Sequence, residues 1–173
     1  VNAFTPANDG TFVFGASGGT QTYNGGLTTT SVGGTVTLNG TIASSDDAIT
    51  LGAVTLGSNV TIDTNATTTN RADITIAAVT GGSNTLTLTT ENDVTGTDIT
   101  ASGNISGVTT LTLASVGGTA TLSGDVDVTT LVVPNTVANV AFTGNGSSIT
   151  NVIDFANDGT LTLGQDGGAQ TYN

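Results

Sequence analysis

Apolar and polar residues alternate in short runs along the whole chain: TFVFG from Thr11, TVTLNG from Thr35, VTIDT from Val60, DITIAA from Asp73, TLTLTT from Thr85, TLTLAS from Thr110, TTLVV from Thr129, NVAF from Asn139 and TLTLG from Thr160. A period of two marks a strand with one buried face, because successive side chains leave a pleated backbone on opposite sides. Gly-Gly, Gly-Ser-Asn, Asn-Asp, Asn-Gly and Ser-Gly clusters separate the runs and supply the positive φ angles of tight turns. No helical periodicity of useful length is present, and the abundant Thr, Val and Ile disfavour helix. The pattern predicts an all-β chain.

The strongest inward pairs, Phe12/Phe14, Val36/Leu38, Val60/Ile62, Leu86/Leu88, Leu111/Leu113 and Leu161/Leu163, fall at intervals of 24 to 26 residues or twice 25. About 25 residues would then make one coil of a parallel β-helix (β-solenoid), each coil pairing its backbone with its neighbours. A string of tandem β-sandwich domains is the alternative, since strand spacing by itself does not separate stacked coils from antiparallel hairpins.

A longer period lies over the short one. NDGTFVFGASGGTQTYN at Asn8 to Asn24 returns as NDGTLTLGQDGGAQTYN at Asn157 to Asn173, with 11 of 17 positions identical at an offset of 149. Residues 1–173 thus read as a single solenoid segment, 8–156 as one repeat unit and 157–173 as the start of the next. Six coils would fill a repeat, with a rise of about 29 Å at the usual strand spacing. Phe12, Phe14, Leu161 and Leu163 are expected to point inward, and Gly18, Gly19, Gly167 and Gly168 to turn corners. Tyr23 and Tyr172 are expected to mark a repeat junction or lateral contact. A second echo, SVGGTVTLNG at Ser31 and SVGGTATLSG at Ser115, is offset by 84. This is close to three coils and a third, or else a sign of variable coil length.

Composition narrows the packing. Hydrophobic residues make up 36% but aromatics only 4%, so small branched side chains must fill the interior; large rings would not fit every coil. Cysteine is absent, leaving stability to repetition instead of disulfides. Outward Thr suits β geometry, and corner Asn and Asp can bond local backbone or align between coils.

The formal charge of −12, with one Lys or Arg and no His, argues against nucleic-acid binding, which needs a basic surface, and against attraction to anionic membranes. No run of about 18 apolar residues is present for membrane insertion.

Catalytic motifs are weak. His-assisted nucleophilic catalysis is excluded by composition. Carboxylate pairs at Asp46/Asp47, Glu91/Asp93 and Asp125/Asp127 have the composition of a glycosidase site, but there are few rings and one basic residue to hold a sugar. No cofactor is expected, with calcium the one candidate: Glu91, Asp93, Asp125 and Asp127 offer hard oxygen ligands, although neither the GGxGxDxUx nonapeptide nor an EF-hand loop is present. Turn-forming Asp is the favoured reading. Thr-x-Thr triplets are spaced too unevenly in the sequence for one regular plane.

DAITLGAVTLGSNVTIDTN from Asp47, DITIAAVTGGSNTLTLTT from Asp73 and TTLTLASVGGTATLSGDV from Thr109 resemble the β-strand repeats of very large bacterial surface proteins, the filamentous-haemagglutinin-like adhesins and related exported proteins. The resemblance implies an extracellular right-handed parallel β-helix serving as a stalk, filament or matrix element at the cell surface. Its expected partners are further copies of the same repeat, and a glycan or other cell-surface partner. The alternatives are a calcium-dependent surface-layer or glycan-binding module, and a β-helix enzyme acting on polysaccharide. The structural role, without enzymatic activity, is the expectation carried forward.

Overall fold

The computed structural model describes residues 2–64, 72–91, 96–164 and 168–172. Fourteen strands occur among them: β1 (Phe12–Phe14), β2 (Thr20–Tyr23), β3 (Leu27–Thr28), β4 (Val36–Ser44), β5 (Ile49–Asp63), β6 (Ile74–Thr80), β7 (Leu86–Glu91), β8 (Ile99–Ala101), β9 (Ile105–Leu122), β10 (Val126–Val132), β11 (Val137–Phe142), β12 (Ser148–Ile149), β13 (Leu161–Leu163) and β14 (Thr171–Tyr172). All their pairings are parallel, and they join the strands into one sheet wound about an axis. The protein is a parallel β-solenoid of about seven turns. Parallel pairing throughout excludes tandem sandwiches, which are built from antiparallel strands.

Three columns of inward residues define three faces, met in the order A, B, C on each turn. Face A stacks Leu27, Ile49, Ile74, Ile99, Ala120, Val140 and Leu161. Face B stacks Phe12, Val36, Val54, Val79, Ile105 and Val126. Face C stacks Val60, Leu86, Leu111 and Leu131. The long strands β5 and β9 bend around corners and contribute to all three faces. Their side chains merge into one aliphatic core reaching from Phe14 to Ile149.

The expected coil of 25 residues is found only part of the way. Partners lie 25 apart from Ile49 to Ile74 to Ile99, but 18 apart from Val36 to Val54 and 21 apart from Ile99 to Ala120 and from Val140 to Leu161. About 21 is the better overall figure. In the 25-residue coils the passage from face C to face A takes more residues, Val60 to Ile74 and Leu86 to Ile99, than in β9, which runs from Leu111 to Ala120 without a break. Buried hydroxyls join the described residues on either side of these longer passages: Thr64 Oγ1 donates to the carbonyl of Ala72 at 2.6 Å and Thr90 Oγ1 to Thr97 Oγ1 at 3.3 Å, so added length leaves the stacking undisturbed. In the shorter coil from Leu27 to Ile49, buried Ser44 Oγ donates to the carbonyl of Asp47 in the same passage.

Variable coil length also alters the phase of the long repeat. Phe12 lies on face B, but its counterpart Leu161 lies on face A. From Phe12 the chain completes two-thirds of a turn to Leu27, then six turns down face A to Leu161. The unit therefore spans six and two-thirds coils instead of six. The 84-residue echo behaves alike: Val36 is on face B and its counterpart Ala120 on face A, three coils and two-thirds further on instead of three and a third.

Leu161 and Leu163 occupy inward columns above Val140 and Phe142 but are 39% and 46% exposed, against the burial expected of them. The reason is positional: among the described residues, no strand stacks on the outer edge of β13. Phe14, by contrast, is buried, and Phe12 is partly buried.

All seven aromatic rings belong to the two end regions. Phe4, Phe12, Phe14 and Tyr23 pack together at one end, with centroids 4.5–6.3 Å apart, and Phe142, Phe155 and Tyr172 at the other, 6.0–6.4 Å apart. The buried hydrophobic residues of the turns between are Val, Ile, Leu and Ala, whose similar size allows an even spacing.

Truncating Leu88, which is fully buried between Ile62 and Leu113, should cost about 2–5 kcal/mol as Leu88→Ala. Thr87→Ala, on the outer side of the same strand, should stay within about 0.5 kcal/mol. Denaturant titration of the two variants checks the contrast; equal losses would contradict the assigned facing.

Candidate functional surface

An Asn or Asp stands immediately before the first inward residue of many face segments: Asn59-Val60, Asp73-Ile74, Asp98-Ile99, Asn104-Ile105, Asp125-Val126 and Asn139-Val140. In all six cases the side-chain Oδ1 accepts a backbone N–H from the following coil. The pairs are Asn59 to Thr85 at 3.0 Å, Asp73 to Asp98 at 2.8 Å, Asp98 to Thr119 at 2.7 Å, Asn104 to Asp125 at 3.0 Å, Asp125 to Gly146 at 2.7 Å and Asn139 to Thr160 at 2.9 Å. The ladder of Asp73, Asp98 and Thr119 runs down one corner, with Asn139 and Thr160 continuing the column. These distances are those of good N–H···O bonds. Each Asx thus satisfies a corner amide that the turning backbone would leave without a strand partner.

Both Asn and Asp occupy these columns, so the shared requirement is one carbonyl-type oxygen and not a charge. Sequence reasoning placed Asn and Asp at corners but singled out none of these six for this role. The usable signal was the dipeptide Asx followed by Val or Ile at the head of each alternating run.

Close approach of backbones requires glycine at another corner. A methyl group added at Gly124 would collide with Gly103, and one at Gly144 with Gly124. Gly18 adopts φ 72° beside the turn closed by Gly19 N–H to Ala16 C=O at 2.8 Å. Gly168 sits against Asn145, and Gly167 lies outside the described residues.

The calcium candidates are dispersed among different tasks. Asp125 binds the Gly146 amide, and Asp127 projects outward beside a shallow groove lined by Ser83, Thr109 and Thr150. Glu91 ends β7 with its backbone opposite Val116, and Asp93 lies outside the described residues. Among the described residues no three His, Cys, Asp or Glu side chains group as a metal site. They also include no helix long and apolar enough to cross a membrane.

The Thr-x-Thr triplets fall on three faces and make no single plane, as their spacing implied, yet threonines taken singly form regular columns. Thr28, Thr50, Thr75, Thr100 and Thr121 form one column on face A. Thr20, Thr41, Thr61, Thr87 and Thr112 form another on face C. The unequal coils realign what the linear intervals scatter.

Tyr23 and Tyr172 occupy equivalent positions in the two copies of the repeat motif, and each hydroxyl donates to the nearby Gln side chain, Gln21 at 2.7 Å and Gln170. They stand on different faces, Tyr23 beside Ser44 and Tyr172 beside Ile149. Burial raises both phenol pKa values above the ordinary 10.0.

No protein-family model, no curated protein and no solved structure matches this chain.

Removing a ladder oxygen should be costly where removing its charge is not. Asp98→Ala leaves the Thr119 amide without its acceptor and should lose about 1–3 kcal/mol, while Asp98→Asn, which keeps the oxygen, should lose much less; thermal or urea unfolding distinguishes them. Because the folded state favours neutral Tyr23 and Tyr172, their contribution is complete below the unfolded phenol pKa and is lost as pH rises through the raised folded values. Stability should therefore fall above about pH 10, and the double substitution Tyr23→Phe, Tyr172→Phe should flatten that decline in a pH series of melting curves.

Proposed function

We propose that this chain is a structural segment of an extracellular fibrous protein, extending or spacing other elements at a cell surface as part of a stalk, filament or matrix, with no catalytic role. The observation that carries this reading is the repeat motif at both ends of one continuously paired solenoid. In such a chain, added copies add length. Nearest-neighbour stacking makes the stability of a solenoid grow with the number of coils, and no coil needs contact with any but its neighbours.

The acidic surface favours this role over nucleic-acid or membrane attachment, since like-charged fibres stay apart in solution. The resemblance to filamentous-haemagglutinin-like adhesins points the same way and supplies the proposed extracellular setting. Most prominent polar groups serve the coil itself: corner Asx side chains bind backbone amides, and insertion-corner hydroxyls bind carbonyls or one another.

Chains carrying one, two and three copies of residues 8–156 should be rods whose maximum dimension in small-angle X-ray scattering grows by about 32 Å per copy, the rise of six and two-thirds coils at the usual strand spacing. Growth as the cube root of mass, as for spheres, would refute the structural reading.

A further inference from the structure

Of the six backbone amides held by corner Asx side chains, one differs from the rest. Gly146 N–H, bonded to Asp125 Oδ1 at 2.7 Å, follows an asparagine and belongs to a residue without a side chain. The amides of Asp98, Thr119, Asp125 and Thr160 follow Thr97, Gly118, Gly124 and Gly159, and that of Thr85 follows Asn84 but is held by the neutral carboxamide of Asn59. In an Asn-Gly pair the following nitrogen reaches the side-chain carbonyl carbon with little hindrance, because glycine has no Cβ. This pair is internal to the shaft: Gly144 packs on Gly124 of the coil before, and Thr171 N–H of the coil after donates to the Ser147 carbonyl at 2.9 Å. Asn145 and Gly146 are nevertheless exposed at the corner, and the Asn145 carboxamide makes no hydrogen bond among the described residues.

We propose that Asn145 is a self-modification site, converted to aspartate and isoaspartate by its own neighbour with Asp125 as the proton acceptor. The Gly146 nitrogen attacks Cγ of Asn145 while its proton passes to Asp125 Oδ1, which already stands at the distance required of a general base. The new N–Cγ bond closes a succinimide ring as the Cγ–Nδ2 bond breaks, and the departing nitrogen takes up the proton and leaves as ammonia. Water then opens the ring at either carbonyl, giving aspartate or isoaspartate; nothing is oxidised or reduced. Asn39-Gly40, a pair with coils on both sides of it, is arranged differently. Asn39 is half-buried, its Nδ2 donates to the Phe14 carbonyl at 3.4 Å, and the Gly40 amide is held by the Ser58 hydroxyl at 3.1 Å instead of a carboxylate. Either product at position 145 places a second carboxylate near Asp125, and the isoaspartyl link adds a methylene to the main chain, drawing the Gly146 amide out of the ladder.

Asp125→Asn separates the two tasks of this side chain, since it keeps the oxygen that holds the Gly146 amide and removes the base. The unsubstituted chain, aged in warm neutral buffer and followed by peptide mass mapping, should show amide-to-acid conversion at Asn145 well before Asn39. In folded Asp125→Asn the conversion of Asn145 should slow by about a hundredfold, the lower end of what a positioned general base contributes, with the melting temperature unchanged. In urea, where the coils no longer stack, the two Asn-Gly pairs should convert at similar rates and the substitution should make no difference. Conversion of Asn145 in folded Asp125→Asn at the unsubstituted rate would overturn the proposal. A second comparison needs no variant: Asn145 should convert faster in the folded chain than in urea. Slower conversion in the folded chain would show that the Asp125 bond shields the amide, and would overturn the proposal whatever the variant does.

Discussion

Every coil of this protein depends on the next for its backbone hydrogen bonds. A parallel strand has no internal ladder of its own, and an amide left unpaired beside an apolar interior costs about as much as a lost hydrogen bond. The chain meets that constraint by winding the same three-sided path repeatedly, so that each N–H and C=O on a face finds its partner one coil away. Corners are where the arrangement would otherwise fail, because the backbone turns out of the ladder. There, the Asx side chains at positions 59, 73, 98, 104, 125 and 139 receive the amides of the following coil.

The same constraint sorts side chains by size and place. Coils set at a fixed spacing must hold interior residues of similar volume, which accounts for the unbroken columns of Val, Ile, Leu and Ala and for the rings gathered at the ends. It leaves the corners free to vary. The insertions between faces C and A lengthen some coils without displacing Ile49, Ile74 and Ile99 from their column.

Much of the shaft was legible in the sequence. Alternation located most strands, and the pairs Val60/Leu86 and Leu86/Leu111 are true neighbours in space. The uniform 25-residue coil failed because linear intervals count corner residues that contribute nothing to the ladder. Val36 and Val60, placed one above the other by that count, lie on different faces; the true neighbour of Val36 is Val54. The phase of the long repeat was hidden for the same reason, since it sums several unequal corners. Of the candidate site residues, Asp125 has a definite task in binding the Gly146 amide, whereas Leu161 and Leu163 sit in the foreseen columns without the foreseen burial. Burial depends on a following coil, and alternation within one strand carries no information about that.

Backbone contacts measured by nuclear Overhauser effects in a uniformly labelled sample test the stacked-coil account most directly. The account predicts parallel cross-strand contacts joining Leu86 to Leu111, Ile99 to Ala120 and Val140 to Leu161. Antiparallel contacts linking each of these strands to its sequence neighbour through a hairpin would contradict it.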